Sequence, residues 1–221
     1  MRDNFFAPDR VNYILRTYLP TWNYEARVEE IVRFCKETDT HHVMLFTDAQ
    51  HICWNQLTLD EAKLEAANIA KAKARLAQDG IRVGINSSYT MPQSRFDHRG
   101  RCDYDYWVTR ADGSCDHRIP CPLDPKLDTY LKAFYTILAD VHADYIYLDD
   151  DHRYLFHGDN NTFGCHCDLH LKTFTERTGS ERTREALNDA LLNDAAVRRQ
   201  WIEMLGERLV EIARIISDTV H

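Results

Sequence analysis

The fold is decided by one stretch near the middle of the chain, Tyr145-Ile146-Tyr147-Leu148-Asp149-Asp150-Asp151. Four apolar or aromatic residues lead directly into three acids, a pattern typical of a buried parallel strand with carboxylates at its carboxyl end. In barrels built from alternating strands and helices, the active site lies at that end of the strands. The stretch therefore predicts both a strand and a candidate site.

Three earlier apolar runs predict further strands, and helical patterns separate them. A capping residue precedes each expected helix: Asn23, then Thr58 in a capping box with Glu61, then Asp124 before a proline. The strand runs are residues 11–18, 43–46 and 81–85.

The alternation of strand and helix implies parallel pairing with right-handed crossovers. A closed eight-stranded barrel typically needs about 250 residues, and this chain of 221 residues contains four predicted strands. A doubly wound open sheet is the alternative, but the turn after the first strand, residues 16–20, lacks the glycine-rich phosphate-binding pattern. We therefore predict the α/β class and a (β/α) barrel of the TIM type. Residues 1–221 would form one domain that supplies the first four βα units, the N-terminal half of the barrel.

The connection over residues 86–123 is unusually long and shows no helical periodicity. Connections of this length in compact domains are usually functional, so we expect it to cover the site. After the fourth strand, helices are expected over 168–178, ended by Gly179, and over a long amphipathic segment with apolar residues from 197 to 216.

Composition limits the kinds of partner that this chain is expected to bind. A net charge of −8 argues against a nucleic-acid backbone and favours a neutral ligand. No apolar run approaches the roughly 18 residues of a membrane span, and the first residues lead into no signal-peptide core, so we expect no membrane partner and a cytoplasmic location. The seven cysteines are then expected to be reduced thiols, some of them able to bind metal.

The three adjacent acids suit glycosidic bond cleavage. That reaction needs one carboxyl group that protonates the leaving oxygen and a second that attacks or activates water, and crowded carboxylates raise one another's pKa. Side chains alternate along a strand, so Asp149 and Asp151 share one face and Asp150 points to the other. A solvated strand end or a helix cap is the structural alternative.

Other strand ends also carry polar groups at the same edge of the sheet. Arg16 follows the first strand, Asp48 and His51 follow the second, and Asn86 follows the third. Each is a candidate ligand of sugar hydroxyls, and each is equally common as a structural hydrogen-bonding residue.

The segment Cys165-His166-Cys167-Asp168-Leu169-His170 is rich in soft metal ligands. Cys165 and Cys167 are too close in sequence for an easy disulfide, because a disulfide needs a specific Cβ geometry. A metal site or free thiols remain, and two imidazoles, those of His166 and His170, compete as a nitrogen ligand.

A family resemblance joins these features. The acids 149–151, the Cys121-Pro122 pair, and Cys165-x-Cys167-x-x-His170 followed by Leu171-x-x-Phe174 resemble the first half of the β-galactosidase-like barrels of glycoside hydrolase family 42, over about residues 11–180. In that family the fourth strand ends in an Asp-Asn-Glu-type sequence whose Glu is the acid/base, and cysteines nearby bind zinc.

The resemblance implies a β-galactosidase-like glycoside hydrolase that uses carboxylate acid/base catalysis. Asp151 falls on the acid/base, with Asp in place of Glu, and Asp150 falls on the Asn that holds the sugar 2-hydroxyl. Asp149 and the polar strand ends would complete the substrate site. The implied zinc is structural, because four protein ligands leave no open position. Those ligands would be Cys121, Cys165, Cys167 and His170, the last in place of a Cys.

Two other functions stay open. A strand that ends in three aspartates can bind a divalent cation in a metal-dependent glycosyltransferase, and a zinc-stabilised fragment can bind carbohydrate or a partner without catalysis. In the family resembled here the nucleophile comes from the seventh strand. We therefore expect self-association or a missing C-terminal half, and poor or no hydrolysis of aryl glycosides by this chain alone.

Overall fold

A computed structural model describes residues 12–20, 22–47, 56–87, 91, 102–149, 152–154 and 163–221. The strands are β1 (Leu15–Thr17), β2 (His42–Phe46), β3 (Arg82–Ser87), β4 (Trp107–Thr109), β5 (Cys115–Pro120) and β6 (Tyr145–Leu148). The helices are α1 (Tyr24–Thr38), α2 (Leu59–Ala77), α3 (Pro125–Ala139), α4 (Asp168–Thr178), α5 (Arg184–Asn193) and α6 (Ala195–Val220).

The four predicted strands form one parallel sheet in the order β1-β2-β3-β6. The α/β class and the parallel pairing are therefore confirmed. In the described residues the sheet is open, so the barrel stays a prediction.

The two faces of this sheet differ. Leu45 and Ile85 are fully buried against α1, α2 and α3, and Ser87 on the same face receives a hydrogen bond from the Tyr135 hydroxyl of α3. The opposite side, which we call the open face, carries Arg16, Phe46, Asn86, Tyr147 and, just past β6, Asp149. Tyr147 is 50% exposed there.

Of the three predicted N-cap residues, two make the expected capping hydrogen bonds. Thr58 and Glu61 make the reciprocal bonds of a capping box. Asp124 accepts from the Lys126 N–H and also from the N–H groups of Asp105 and Tyr106, so one buried carboxylate starts α3 and anchors the segment before β4. Asn23 precedes α1 as expected, but its side chain makes no capping hydrogen bond.

A second core lies beside the sheet. It is formed by the antiparallel pair β4–β5 together with α4, α5 and α6, and it surrounds the fully buried Trp201. The expectation of an irregular connection over 86–123 was therefore wrong for residues 107–120, which form these two strands. The helix predicted over 168–178 and the long final helix are confirmed, whereas α5 was not predicted.

No helix in the described ranges combines the length and the apolar character that crossing a membrane requires.

Candidate metal centre and sheet-edge site

The four predicted metal ligands converge in the second core. One ligand atom from each of Cys121, Cys165, Cys167 and His170 lies within 4.8 Å of all the others, and all four residues are buried. This group can hold a metal ion.

The distances suit a tetrahedral site. Cys121 Sγ lies 3.5 Å from Cys167 Sγ, and His170 Nδ1 lies 3.3 Å from each of these sulfurs. Around a zinc ion with bonds of about 2.3 Å to sulfur and 2.0 Å to nitrogen, the edges of a tetrahedron are about 3.5–3.8 Å long. Three sulfurs and one imidazole are also a donor set that zinc prefers.

Three local structures position these ligands. Cys121 directly follows β5, and its N–H donates to the Tyr106 carbonyl. Cys165 is tied to β4, because the Thr109 N–H donates to its sulfur at 3.4 Å. Cys167 and His170 lie three residues apart at the start of α4, a spacing that brings both side chains to one helix face.

Burial makes the free thiols unfavourable to ionise. It raises the pKa of Cys165 to about 12 and the pKa of Cys121 well above its usual value. The pKa of Cys167 is lowered instead, because Cys121 and Cys165 donate hydrogen bonds to its thiolate and His170 lies beside it. A bound cation favours all three thiolates at once, since a coordinating thiol loses its proton.

The surroundings close the site. Trp201 of α6 packs its ring 6.1 Å from His170 and 5.2 Å from Phe174. Tyr154 also contacts His170, with ring centroids 5.7 Å apart in an edge-on arrangement. Four protein ligands inside an apolar shell leave no position for a reacting water, so this geometry suits a structural metal rather than a catalytic one.

Arg208 links this core to the sheet domain. Its guanidinium is nearly buried and donates to the Pro122 carbonyl, next to the Cys121 ligand, as well as to Asp128 of α3. The sequence indicates this role, because Arg208 lies on the apolar face of α6 between Leu205 and Ile212. A charged residue on such a face normally has a buried hydrogen-bond or ion-pair partner.

His166, the competing imidazole, is not part of the group. Its ring lies 5.4 Å from Trp201, and it does not belong to the group of converging ligand atoms. Burial lowers its pKa, which keeps the ring neutral. Of the two candidate imidazoles, the structure therefore brings only His170 to the cysteines.

The second candidate site lies on the open face at the carboxyl edge of the sheet. Asp149 Oδ2 accepts from Arg16 Nη2 and, at 2.9 Å, from Asn86 Nδ2. The Arg16 guanidinium also lies 4.3 Å from the centre of the Phe46 ring. Three of the predicted substrate-binding residues, from three different strands, thus form one hydrogen-bonded cluster.

The side-chain oxygen of Asn86 is a candidate hydrogen-bond acceptor for a ligand. It is fully buried, and its Oδ1 has no hydrogen-bond partner among the described residues. A buried acceptor without a donor costs about 1–3 kcal/mol, so this oxygen is suited to accept a hydroxyl or N–H from a ligand.

The remaining predicted site residues, Asp48, His51, Asp150 and Asp151, lie outside the described residues. Their assignments as substrate-binding and catalytic groups stay predictions. Comparison with known protein families, with curated proteins and with solved structures found no match for this chain.

Proposed function

We propose that the chain is the N-terminal half of a (β/α)-barrel glycoside hydrolase, similar to family 42 and acting on a carbohydrate glycosidic bond. The observation that carries this proposal is the convergence of Arg16, Asn86 and Asp149 at the carboxyl edge of a parallel sheet. In barrels of this type, that edge is where substrates bind.

A side-chain contact between the two outer strands supports a barrel. Neighbouring strands lie about 4.8 Å apart, so β1 and β6 are separated by about 14 Å of sheet. The side chains of a flat sheet stand parallel to one another, and those on outer strands stay far apart. Arg16 and Asp149 nevertheless form an ion pair, as side chains do on the concave side of a curved sheet. The open face would then be the barrel interior.

The same contacts divide roles among the three acids. One oxygen of Asp149 accepts from two donors, Arg16 and Asn86, so we assign it to positioning and to binding a sugar hydroxyl. The acid/base role goes to Asp151, and Asp150 is assigned to the 2-hydroxyl. A second carboxylate would come from the other half of the complete barrel.

We propose zinc as the metal at Cys121, Cys165, Cys167 and His170. The donor set and the spacing of the ligand atoms support this choice. Bound there, zinc would fix the segment that follows β6 and thereby the acids that precede it.

Sugar binding tests the proposed function. Titration with methyl β-galactopyranoside, followed by NMR, should shift amide signals of Asn86 and its neighbours, with a dissociation constant in the millimolar range for half a site. Asn86→Ala should abolish these shifts. Leu192→Ala, on the exposed surface of α5, is the control and should leave them unchanged. Shifts that persist in Asn86→Ala would contradict the assignment, and manganese-dependent binding of a nucleotide sugar instead would favour a glycosyltransferase.

A further inference from the structure

Both outer strands of the sheet lack a neighbour among the described residues. β1 ends the sheet on one side and β6 ends it on the other. Parallel sheets are normally covered on both faces, yet Tyr147 on the open face of β6 is half exposed. An unpaired strand edge is a site at which another strand can pair.

A groove runs along the β6 edge. It has a volume of about 500 Å³ and lies on the helix-covered side of the strand. Ile146 and Leu148 of β6 form one wall, and Ile216, Ser217 and Val220 of α6 form the other. Its position is that of a side chain from a strand added next to β6.

We propose that a second copy of this chain fills this edge, so that β1 of each copy pairs in parallel with β6 of the other. This inference rests on the proposed half barrel. A two-fold axis along the barrel keeps the carboxyl ends of all strands at one end, so four strands from each copy close into eight. Both copies then place Arg16, Asn86 and Asp149 around one shared mouth, and the site of each copy is incomplete without the other.

Exposed aromatic side chains near β1 and in β6 could form the interface between the two copies. Three of the most exposed aromatic side chains flank β1, namely Tyr13 (73%), Trp22 (69%) and Tyr18 (40%), and Tyr147 (50%) lies in β6. With about 150–250 Å² per aromatic side chain, their exposed parts amount to roughly 450 Å², more than half of the roughly 800 Å² that each partner buries in a standard interface.

Tyr13 is the residue that we place in the groove of the other copy. It lies two positions before Leu15, so strand alternation directs it to the same side as Leu15, which packs towards the helices. The groove lies on that side of β6. Each closed dimer would therefore contain two identical contacts between β1 of one copy and β6 of the other, which we call seams. In each seam, Tyr13 from one copy lies beside Ser217 from the other.

Sedimentation velocity on single and mixed variants tests this arrangement. The wild-type chain should sediment with about twice the mass of its 25.9 kDa monomer. Tyr13→Asp removes the inserted ring and Ser217→Arg obstructs the groove, and both positions are solvent-exposed in the monomer, so folding should be kept. Each variant alone should be monomeric, because both of its seams are damaged.

The mixture of the two variants gives the deciding result. A mixed dimer has one wild-type seam and one seam that pairs Asp with Arg, so mixing should restore the dimer. Leu192→Arg, on the exposed face of α5, should remain dimeric. A monomeric wild type, a dimer unaffected by either variant, or no recovery on mixing would each overturn the proposal. Zinc content and sugar-induced NMR shifts, measured on the same samples, report separately on the proposed function.

Discussion

Removal of one metal ligand by the substitution Cys165→Ser should destabilise the folded chain. The four ligand atoms lie within 4.8 Å of one another and are buried beside Trp201, so a metal bound there would stabilise the folded core, because the unfolded chain has no equivalent site. A ligand at 1,000 times its dissociation constant stabilises the native state by about 4 kcal/mol. Loss of the metal should therefore remove about that much from the free energy of unfolding.

Elemental analysis measures the metal content, and urea denaturation measures the free energy of unfolding. The wild type should contain about one zinc ion per chain, and Cys165→Ser should contain none. Trp201 provides the local signal, because its ring lies 6.1 Å from His170 and its fluorescence should change when a chelator removes the metal. Cys115→Ser is the matched control: Cys115 is exposed, lies in β5 and is not in the ligand group. Full zinc content with unchanged stability in Cys165→Ser would refute the metal site.

Three further outcomes are expected. Gly84→Ala should destabilise the chain by about 1–3 kcal/mol in urea denaturation, since a Cβ there would overlap the Tyr145 ring; Gly206→Ala, which meets no atom within 4 Å, should be neutral or stabilising. Arg208→Met should cost about 3 kcal/mol by the same measurement, because it leaves a buried carbonyl and a carboxylate without their donor; a loss below 1 kcal/mol would count against the buried ion pair. A longer form of the protein should lose most activity on aryl glycosides with Asp151→Asn, while the 221-residue chain should show little or none.

Periodicity predicted most of the sheet domain, because its elements follow simple rules. Buried parallel strands appear as continuous apolar runs, as at 43–46, and the cap at Asp124 and the stop at Gly179 lie where the structure has them. The β4–β5 pair was missed because it is short and its second strand contains Asp116 and Arg118, which pair with each other and resemble a polar loop.

The two sites differ in what the sequence could reveal. Ligand type and spacing pointed to Cys165 and Cys167, whereas Cys121 and the choice of His170 over His166 came from the family resemblance. The contact of Arg16 with Asp149 could not be predicted, because these residues are 133 positions apart and their contact depends on the tertiary arrangement of the strands. Register fixes which face a side chain occupies, but not which distant strand it reaches.

Helix α6 belongs to both cores. Trp201 and Leu205 lie in the second core, Ile212 and Ile216 lie against the sheet, and Leu209 touches both. An element shared in this way cannot lose one set of contacts without weakening the other. Hydrogen exchange should therefore show the amides of α6 protected to the same extent along the helix and released together with those of β2 and β3, as one cooperative unit rather than as two independently opening lobes.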